Sequence, residues 1–187
     1  MLRHLTFAAL SLALAFGFVA AAAAQTNPVV VLKTSKGDIT LELDAAKAPV
    51  SVKNFLSYVD EKFYDGTIIH RVIRGFMIQG GGMTPDLTEK KDKAPIRNES
   101  GNGLRNVRGS VAMARLEALD SATCQFYINH ADNPNLDRLK YAVFGRVIQG
   151  MDVVDAIAAV PTGTVKGNED VPRQPIVIQS VRRAPAK

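Results

Sequence analysis

Residues 68–82 read IIHRVIRGFMIQGGG, and this stretch decides the fold class because it predicts two short β-strands in succession. β-branched and aromatic residues favour strands at 67–73 and 76–79, and the Arg-Gly pair at 74–75 marks a break between them. Paired short strands of this kind are typical of a mainly β protein.

The same stretch carries polar side chains whose placement follows from strand geometry. Side chains alternate along a strand, so Arg71 and Ile73 are expected on one face, with His70 and Val72 on the other. By pattern alone, ordinary core packing with a surface arginine is favoured over a functional site. The glycines at 80–82 lack the Lys-Ser/Thr pair of a phosphate-binding loop.

Short strands continue along the chain, together with two helices. Apolar residues at helical spacing predict helices over 50–61 and 151–159. Further strands are predicted at 29–32, 39–43, 110–114, 125–128, 141–147 and 175–181. Residues 80–108 lack periodicity, and such long irregular segments are often functional when ordered. The pattern therefore predicts an all-β barrel or sandwich with helical plugs.

Residues 1–24 have the composition of a secretory signal peptide. A basic start is followed by an apolar stretch over 5–19 and by small residues at 22–24, so cleavage is expected before Gln25. A membrane anchor is the alternative, but the apolar stretch is only marginally long enough to cross a bilayer. We therefore expect an exported protein without a membrane span after cleavage, with residues 25–187 as a single domain.

Composition and charge exclude several classes of function. The 187 residues are 47% hydrophobic and 22% charged, which excludes a disordered or fibrous chain. The net charge is +5, but the basic residues are scattered, so nucleic acid is not an expected partner. One cysteine and three histidines offer no metal-ligand spacing. Nothing in the spacing places Cys124 beside His130, so a thiol enzyme is not expected.

A set of short motifs is distributed along the chain. They are His70-Arg71-Val72-Ile73, Phe76-Met77, Gln79-Gly80-Gly81, Met113-Ala114, Gln125-Phe126, Asn135-Leu136-Asp137 and Val143-Phe144-Gly145. In composition and order they resemble the signature of the cyclophilins, over residues 28–182. With its leader and the motifs around 114–123, the chain is most similar to the exported cyclophilins of Gram-negative bacteria.

This resemblance implies both a fold and an activity. The fold is mainly β, a closed eight-stranded antiparallel β-barrel capped by two α-helices. The activity is peptidyl-prolyl cis–trans isomerisation without cofactor or covalent intermediate. The expected partners are proline-containing unfolded or flexible polypeptides in the periplasm, which the enzyme, expected to be a monomer, would help to fold.

The resemblance also assigns roles to individual residues. The expected catalytic residues are Arg71, matching the family's catalytic arginine, Gln79, which contacts the substrate backbone and steadies that arginine, and Phe76. The pocket for the proline ring is matched by Phe76, Met77, Phe126 and Leu136. Further substrate-binding positions are matched by His70, Ala114, Arg115, Gln125 and Tyr141.

Several positions depart from the family's pattern, and three of them bear on packing or binding. Ile69 replaces a phenylalanine, which we interpret as a core change. Arg115 stands where eukaryotic members carry asparagine, so contacts with the substrate backbone are expected to differ there. Asn135 occupies a position that is often tryptophan and is a principal cyclosporin contact in the family. Since the chain has no tryptophan, weak inhibition by cyclosporin is expected.

The residue types suit the reaction, although other functions remain open. Rotation about an X–Pro bond makes and breaks no covalent bond, so a charged arginine beside an apolar pocket is sufficient chemistry. One alternative is a binding module or holdase chaperone that uses the same groove without turnover. Another is a ligand-binding barrel of lipocalin type, against which the two helices and the 80–108 segment argue.

Overall fold

The computed structural model describes residues 27–185, which contain ten strands and three helices. In chain order they are β1 Val29–Thr34, β2 Gly37–Leu43, α1 Pro49–Asp60, β3 Ile68–Ile73, β4 Met77–Gly80, β5 Ser110–Met113, β6 Phe126–Asn129, α2 Pro134–Arg138, β7 Val143–Gln149, α3 Met151–Ala158, β8 Thr162–Val165, β9 Asn168–Pro172 and β10 Ile176–Arg183. The predicted signal peptide lies outside these residues. Within them, no helix is long and apolar enough to cross a membrane.

Eight of the strands close into an antiparallel barrel. The strand order around the barrel is β1-β10-β3-β4-β6-β5-β7-β2. β1 pairs with both β2 and β10, so the two ends of the described chain close the barrel. The predicted eight-stranded barrel is confirmed, and closure leaves none of its eight strands with an unpaired edge.

Aromatic rings pack inside the barrel under helices α1 and α3. The ring of Phe55, from α1, lies 5.4 Å from that of Phe126 and 5.3 Å from that of Phe144, and all three side chains are fully buried. α3 adds buried Val154 and Ile157. These side chains fill the barrel, which argues against a ligand-binding interior of lipocalin type.

The two predicted helices are found within one residue of their predicted bounds, but three short elements were missed. Helix α2 has five residues, too few for helical periodicity to show in a sequence. Strands β8 and β9 form a separate two-stranded hairpin. Their residues are mostly exposed or half-buried, so they lack the apolar alternation by which strands are predicted.

Between β4 and β5 the chain forms no helix or strand, as predicted. Two isolated bridges order it: Met83 pairs with Glu89 within the segment, and Ile96 pairs with Ala122 in the connection between β5 and β6. Its Glu99 carboxylate accepts hydrogen bonds from the backbone N–H groups of Val50 and Ser51, at the start of α1. The irregular segment therefore contributes to the stability of a helix distant in sequence.

Candidate active site

A β-bulge in β3 places Arg71 on the outside of the barrel. Ile69 pairs with Gly80 and Arg71 with Gln79, so β3 has one extra residue, His70. Ile69 and Val72 both lie in the barrel core, while Arg71 is exposed. The predicted outward placement of Arg71 is confirmed, but the regular alternation of faces fails at His70.

Strand pairing sets Arg71 in a row of residues across the outer face. Arg71 pairs with Gln79, Gln79 with Tyr127, and Tyr127 with Ala112. Paired residues on adjacent strands point to the same face and lie about 5 Å apart. A guanidinium, an amide and an aromatic ring therefore stand side by side.

An apolar surface, the outer pocket, adjoins this row. Its buried members are Met77, Ala112, Tyr127, Leu136 and Val143, and half-buried Ile73, Phe76, Leu104, Ala114 and Tyr141 pack against them. The outer pocket is separate from the barrel core. Phe76, Met77, Leu136, Ala114 and Tyr141, all predicted for the groove, are thus brought together.

Phe126 does not line the outer pocket, contrary to the prediction. Its side chain is fully buried in the barrel core, with the ring 5.5 Å from that of Tyr64. Tyr127 lies in the outer pocket instead. Alternation along the strand could have shown this, because Gln125 and Tyr127 share a face, and Gln125 was already assigned to the groove.

Glycines 80–82 serve close packing around these two faces. A Cβ atom on Gly81, whose φ is +91°, would stand 2.8 Å from the ring of Phe126. A Cβ atom on Gly82 would stand 2.5 Å from Cγ of Gln125. The three glycines therefore allow the backbone to approach both side chains. This close packing accounts for the glycine run without a phosphate-binding role.

The guanidinium of Arg71 is available for a ligand. Its Nε lies 3.6 Å from an Asp170 carboxylate oxygen, beyond hydrogen-bond distance, and the Arg71 side chain is 44% exposed. No side-chain hydrogen bond joins Gln79 to Arg71 within residues 27–185; the Gln79 side-chain amide donates instead to the side-chain oxygen of Gln125 at 2.9 Å. Those two amides border a cavity of about 140 Å³ that extends the groove past Ala114.

Arg115, assigned to substrate binding, lines the same cavity, and its guanidinium forms hydrogen bonds within the protein. It donates to the backbone carbonyls of Leu116 at 2.7 Å and Glu117 at 2.8 Å, and also to that of Leu139. It also covers the ring of Tyr141 at 4.5 Å. Arg115 therefore braces the wall of the outer pocket.

Buried amides, which sequence reasoning missed, anchor the pocket from below. The Tyr127 hydroxyl donates to the side-chain oxygen of Asn106 at 2.7 Å. The Asn133 amide donates to the Phe76 carbonyl at 2.8 Å and to the Asn129 side-chain oxygen at 2.6 Å. Burial also raises the pKa of Tyr127 well above its usual value, so this hydroxyl remains a donor.

His70, expected at the groove, is buried and carries no charge at neutral pH. Its side chain is only 7% exposed, and its Nδ1 has no hydrogen-bond partner within residues 27–185. Burial, with the adjacent charge of Arg71, lowers the pKa of His70 to about 4. Arg71 is therefore the charged group of this pair.

Comparisons with known proteins agree with this geometry. The cyclophilin type peptidyl-prolyl cis-trans isomerase/CLD family matches residues 29–183. Peptidyl-prolyl cis-trans isomerase A of Dickeya dadantii is 54% identical over 169 residues, which cover 88% of this chain and 89% of that protein. Isomerase B of Escherichia coli is 49% identical over 160 residues, 82% and 98% of the two chains.

A solved structure shows the same fold. It is a Cryptosporidium parvum cyclophilin type peptidyl-prolyl cis-trans isomerase in the presence of the dipeptide Ala-Pro. The TM-score is 0.75 at 28% identity, and the match covers 84% of this chain and 99% of that one. Sequence and barrel together show that this chain belongs to the cyclophilin-type peptidyl-prolyl cis–trans isomerases.

Proposed function

We propose that this isomerase accelerates rotation about X–Pro bonds through Arg71, and that it acts on exported proteins and assists their folding. The observation that carries the proposal is the row from Arg71 through Gln79 to Tyr127, at the edge of the outer pocket. It sets one exposed, permanently charged donor beside an apolar surface for the proline ring.

The chemistry follows from the electronic structure of the amide. Rotation must break amide resonance, at a cost of about 18–20 kcal/mol. In the twisted transition state the prolyl nitrogen regains its lone pair and can accept a hydrogen bond from the Arg71 guanidinium. The planar ground state offers a much weaker acceptor, so this contact stabilises the transition state selectively.

The other groups would hold the substrate. Met77, Tyr127 and Leu136 form an apolar floor for the proline ring, with Phe76 at its side. The side-chain N–H of Gln79 donates to Gln125, which leaves the side-chain oxygen of Gln79 free to accept a hydrogen bond from a substrate N–H. An apolar pocket also keeps out water that would screen the guanidinium.

Export is supported by residues 1–24, with their apolar stretch and Ala-x-Ala end. Clients would then be unfolded or flexible periplasmic proteins, met by a monomeric enzyme. Recovery from the periplasm of a protein that starts at Gln25 tests this part, and a full-length cytoplasmic product contradicts it.

Asn135, at the position of a principal cyclosporin contact in the family, is exposed at the start of α2, and weak cyclosporin binding stays a prediction.

The central experiment replaces Arg71. We expect Arg71→Ala to lower kcat/KM for a proline tetrapeptide by about 100-fold or more, because it removes the donor to the prolyl nitrogen. Arg71→Lys should also be slow, because lysine lacks the planar fork. The control is Arg74→Ala, which removes an exposed arginine from the neighbouring turn. Circular dichroism verifies the fold of each variant.

A wild-type rate in folded Arg71→Ala would contradict the proposed mechanism. The holdase alternative is measured in parallel as protection of an aggregating client. If Arg71→Ala and Met77→Ala both isomerise slowly but only Met77→Ala fails to protect, the groove also serves client binding. That result would add chaperone activity to isomerisation.

A further inference from the structure

The hairpin of β8 and β9 brings one acidic side chain to Arg71. Gly163 pairs with Val171 and Val165 with Asn168, so β9 has one extra residue in this interval. Asp170 lies within it and has a φ of +59°. This is the left-handed region, which side chains other than glycine rarely adopt, although aspartate and asparagine tolerate it better than most.

Such a bulge commonly redirects a side chain beside a functional site. Arg71 follows a second bulge, at His70 in β3, against which β9 packs. Two strands thus depart from regular pairing at the place where Arg71 and Asp170 meet. A backbone held in an uncommon conformation is a reason to look for function there.

The contact itself is an ion pair at one end of the guanidinium. Nε of Arg71 lies 3.6 Å from Oδ2 of Asp170, and the two side chains are 44% and 35% exposed. Among residues 27–185, no other acid forms a salt bridge with Arg71. The terminal nitrogens of Arg71 donate no hydrogen bond to these residues, so they remain available to a substrate.

A contribution to folding stability does not explain this arrangement, because half-exposed ion pairs contribute little to the free energy of folding. The arrangement is explained by the orientation that it gives to the Arg71 side chain. Arginine has many rotamers, and Gln79, its partner in the strand pairing, is bonded to Gln125 instead. The carboxylate of Asp170 is therefore the polar group that limits where the Arg71 guanidinium points.

We propose that Asp170 is a positioning residue for Arg71, which holds the Nε side of the guanidinium so that its terminal nitrogens face the prolyl nitrogen. The inference rests on the proposed role of Arg71. It predicts that loss of the carboxylate lowers kcat and leaves KM nearly unchanged, because the pocket that binds proline is intact while the transition-state contact is misaligned.

The test uses two replacements that tolerate a positive φ. Asp170→Gly removes the carboxylate and relieves the backbone, so the hairpin is preserved. Asp170→Asn keeps an oxygen acceptor and loses the charge. We expect kcat to fall about tenfold for glycine and less for asparagine. Glu169→Ala is the matched control, since it removes an exposed charge from the neighbouring residue, and it should leave kcat unchanged.

Two further measurements separate positioning from a structural effect. In an Arg71→Ala background, Asp170→Gly should have no additional effect on kcat, because nothing remains to be positioned. The NMR signal of the Arg71 Nε–H, identified by its absence in Arg71→Lys, should shift and exchange faster with water in Asp170→Gly. This signal reports the contact whether or not Arg71 is catalytic.

The outcomes are distinct. A wild-type kcat for Asp170→Gly, or an equal loss in the Arg71→Ala background, overturns the positioning role. A raised kcat also overturns it, because the carboxylate would then be competing with substrate for the arginine. If Arg71→Ala itself isomerises at the wild-type rate, the proposed function fails, while the NMR signal still decides the contact.

Discussion

At the scale of single residues, adjacent side chains in one strand have opposite tasks. Phe126 packs in the barrel core and Tyr127 forms part of the outer pocket, because successive side chains in a strand point to opposite faces. A shift of one residue in the assignment therefore exchanges a structural position for a site position. The chemistry of a ring alone does not tell the two apart.

This difference can be measured with paired substitutions. Tyr127→Ala should lower kcat/KM about tenfold or more, because the proline ring loses part of its floor. Tyr127→Phe should keep the activity within about twofold and cost about 1 kcal/mol of unfolding free energy, since only the hydrogen bond to Asn106 is lost.

Phe126→Leu should do the reverse. We expect a loss of about 1 to 3 kcal/mol in the free energy of unfolding and little change in the kcat/KM of the folded protein. Urea unfolding measures the free energy of unfolding, and the tetrapeptide assay measures kcat/KM. A variant of Phe126 that is fully stable but inactive would return this residue to the groove.

At the scale of elements, helix α1 depends on a side chain far away in sequence. Its N-cap is Ala48, which offers no side-chain acceptor, and Pro49 begins the helix. The Glu99 carboxylate accepts from the N–H of Val50 at 3.0 Å and from the N–H and hydroxyl of Ser51 at 2.8 and 2.7 Å. A negative charge at the N-terminus of a helix also interacts favourably with the helix dipole.

Removing this cap should destabilise the protein. We expect Glu99→Ala to lower the free energy of unfolding by about 1–2 kcal/mol, and Glu99→Gln by less, because the amide keeps one oxygen acceptor. Thermal unfolding gives both values. Asp92→Asn, at an exposed position of the same irregular segment, is the control. Equal stabilities for Glu99→Ala and the control would show that the cap contributes nothing.

At the scale of the whole molecule, the closed barrel separates two apolar regions. The core lies inside, under α1 and α3, and the outer pocket lies on the opposite side of strands β3, β4, β6 and β5. Because those strands are hydrogen-bonded in a closed sheet, a row such as Arg71-Gln79-Tyr127 is held by the entire fold.

Global stability should depend on pH through His70. Burial lowers its pKa to about 4 in the folded protein, compared with about 6.5 when unfolded. Between these values the unfolded chain binds a proton that the folded protein does not. Stability is therefore full above pH 6.5 and falls as the pH drops towards 4, by up to about 3 kcal/mol.

Urea unfolding at pH 7.0 and 4.5 measures this loss, which His70→Gln should reduce. The carboxyls of Asp60 and Asp65, whose pKa values are lowered by hydrogen bonds from Arg183 and Arg182, act at a lower pH than this window. The same pH dependence in wild type and His70→Gln would show that His70 does not cause it.

Local patterns in the sequence predicted much of this protein. The apolar stripes of α1 and α3 and the positions of most strands follow from side-chain periodicity, which acts over neighbouring residues. Recognisable motifs, in order, supplied the closed barrel and half of the members of the outer pocket. The bulges at His70 and near Asp170, like the five-residue helix α2, have no such pattern and were missed.

Tertiary structure alone decided which distant residues meet. Gln79 is held by Gln125, α1 is capped by Glu99, and Arg71 faces Asp170. Strand pairing and chain closure bring these side chains together from separate parts of the chain. Periodicity specifies the face of an element that a residue occupies, but the residue opposite it depends on register, bulges and loop path, which only the folded barrel defines.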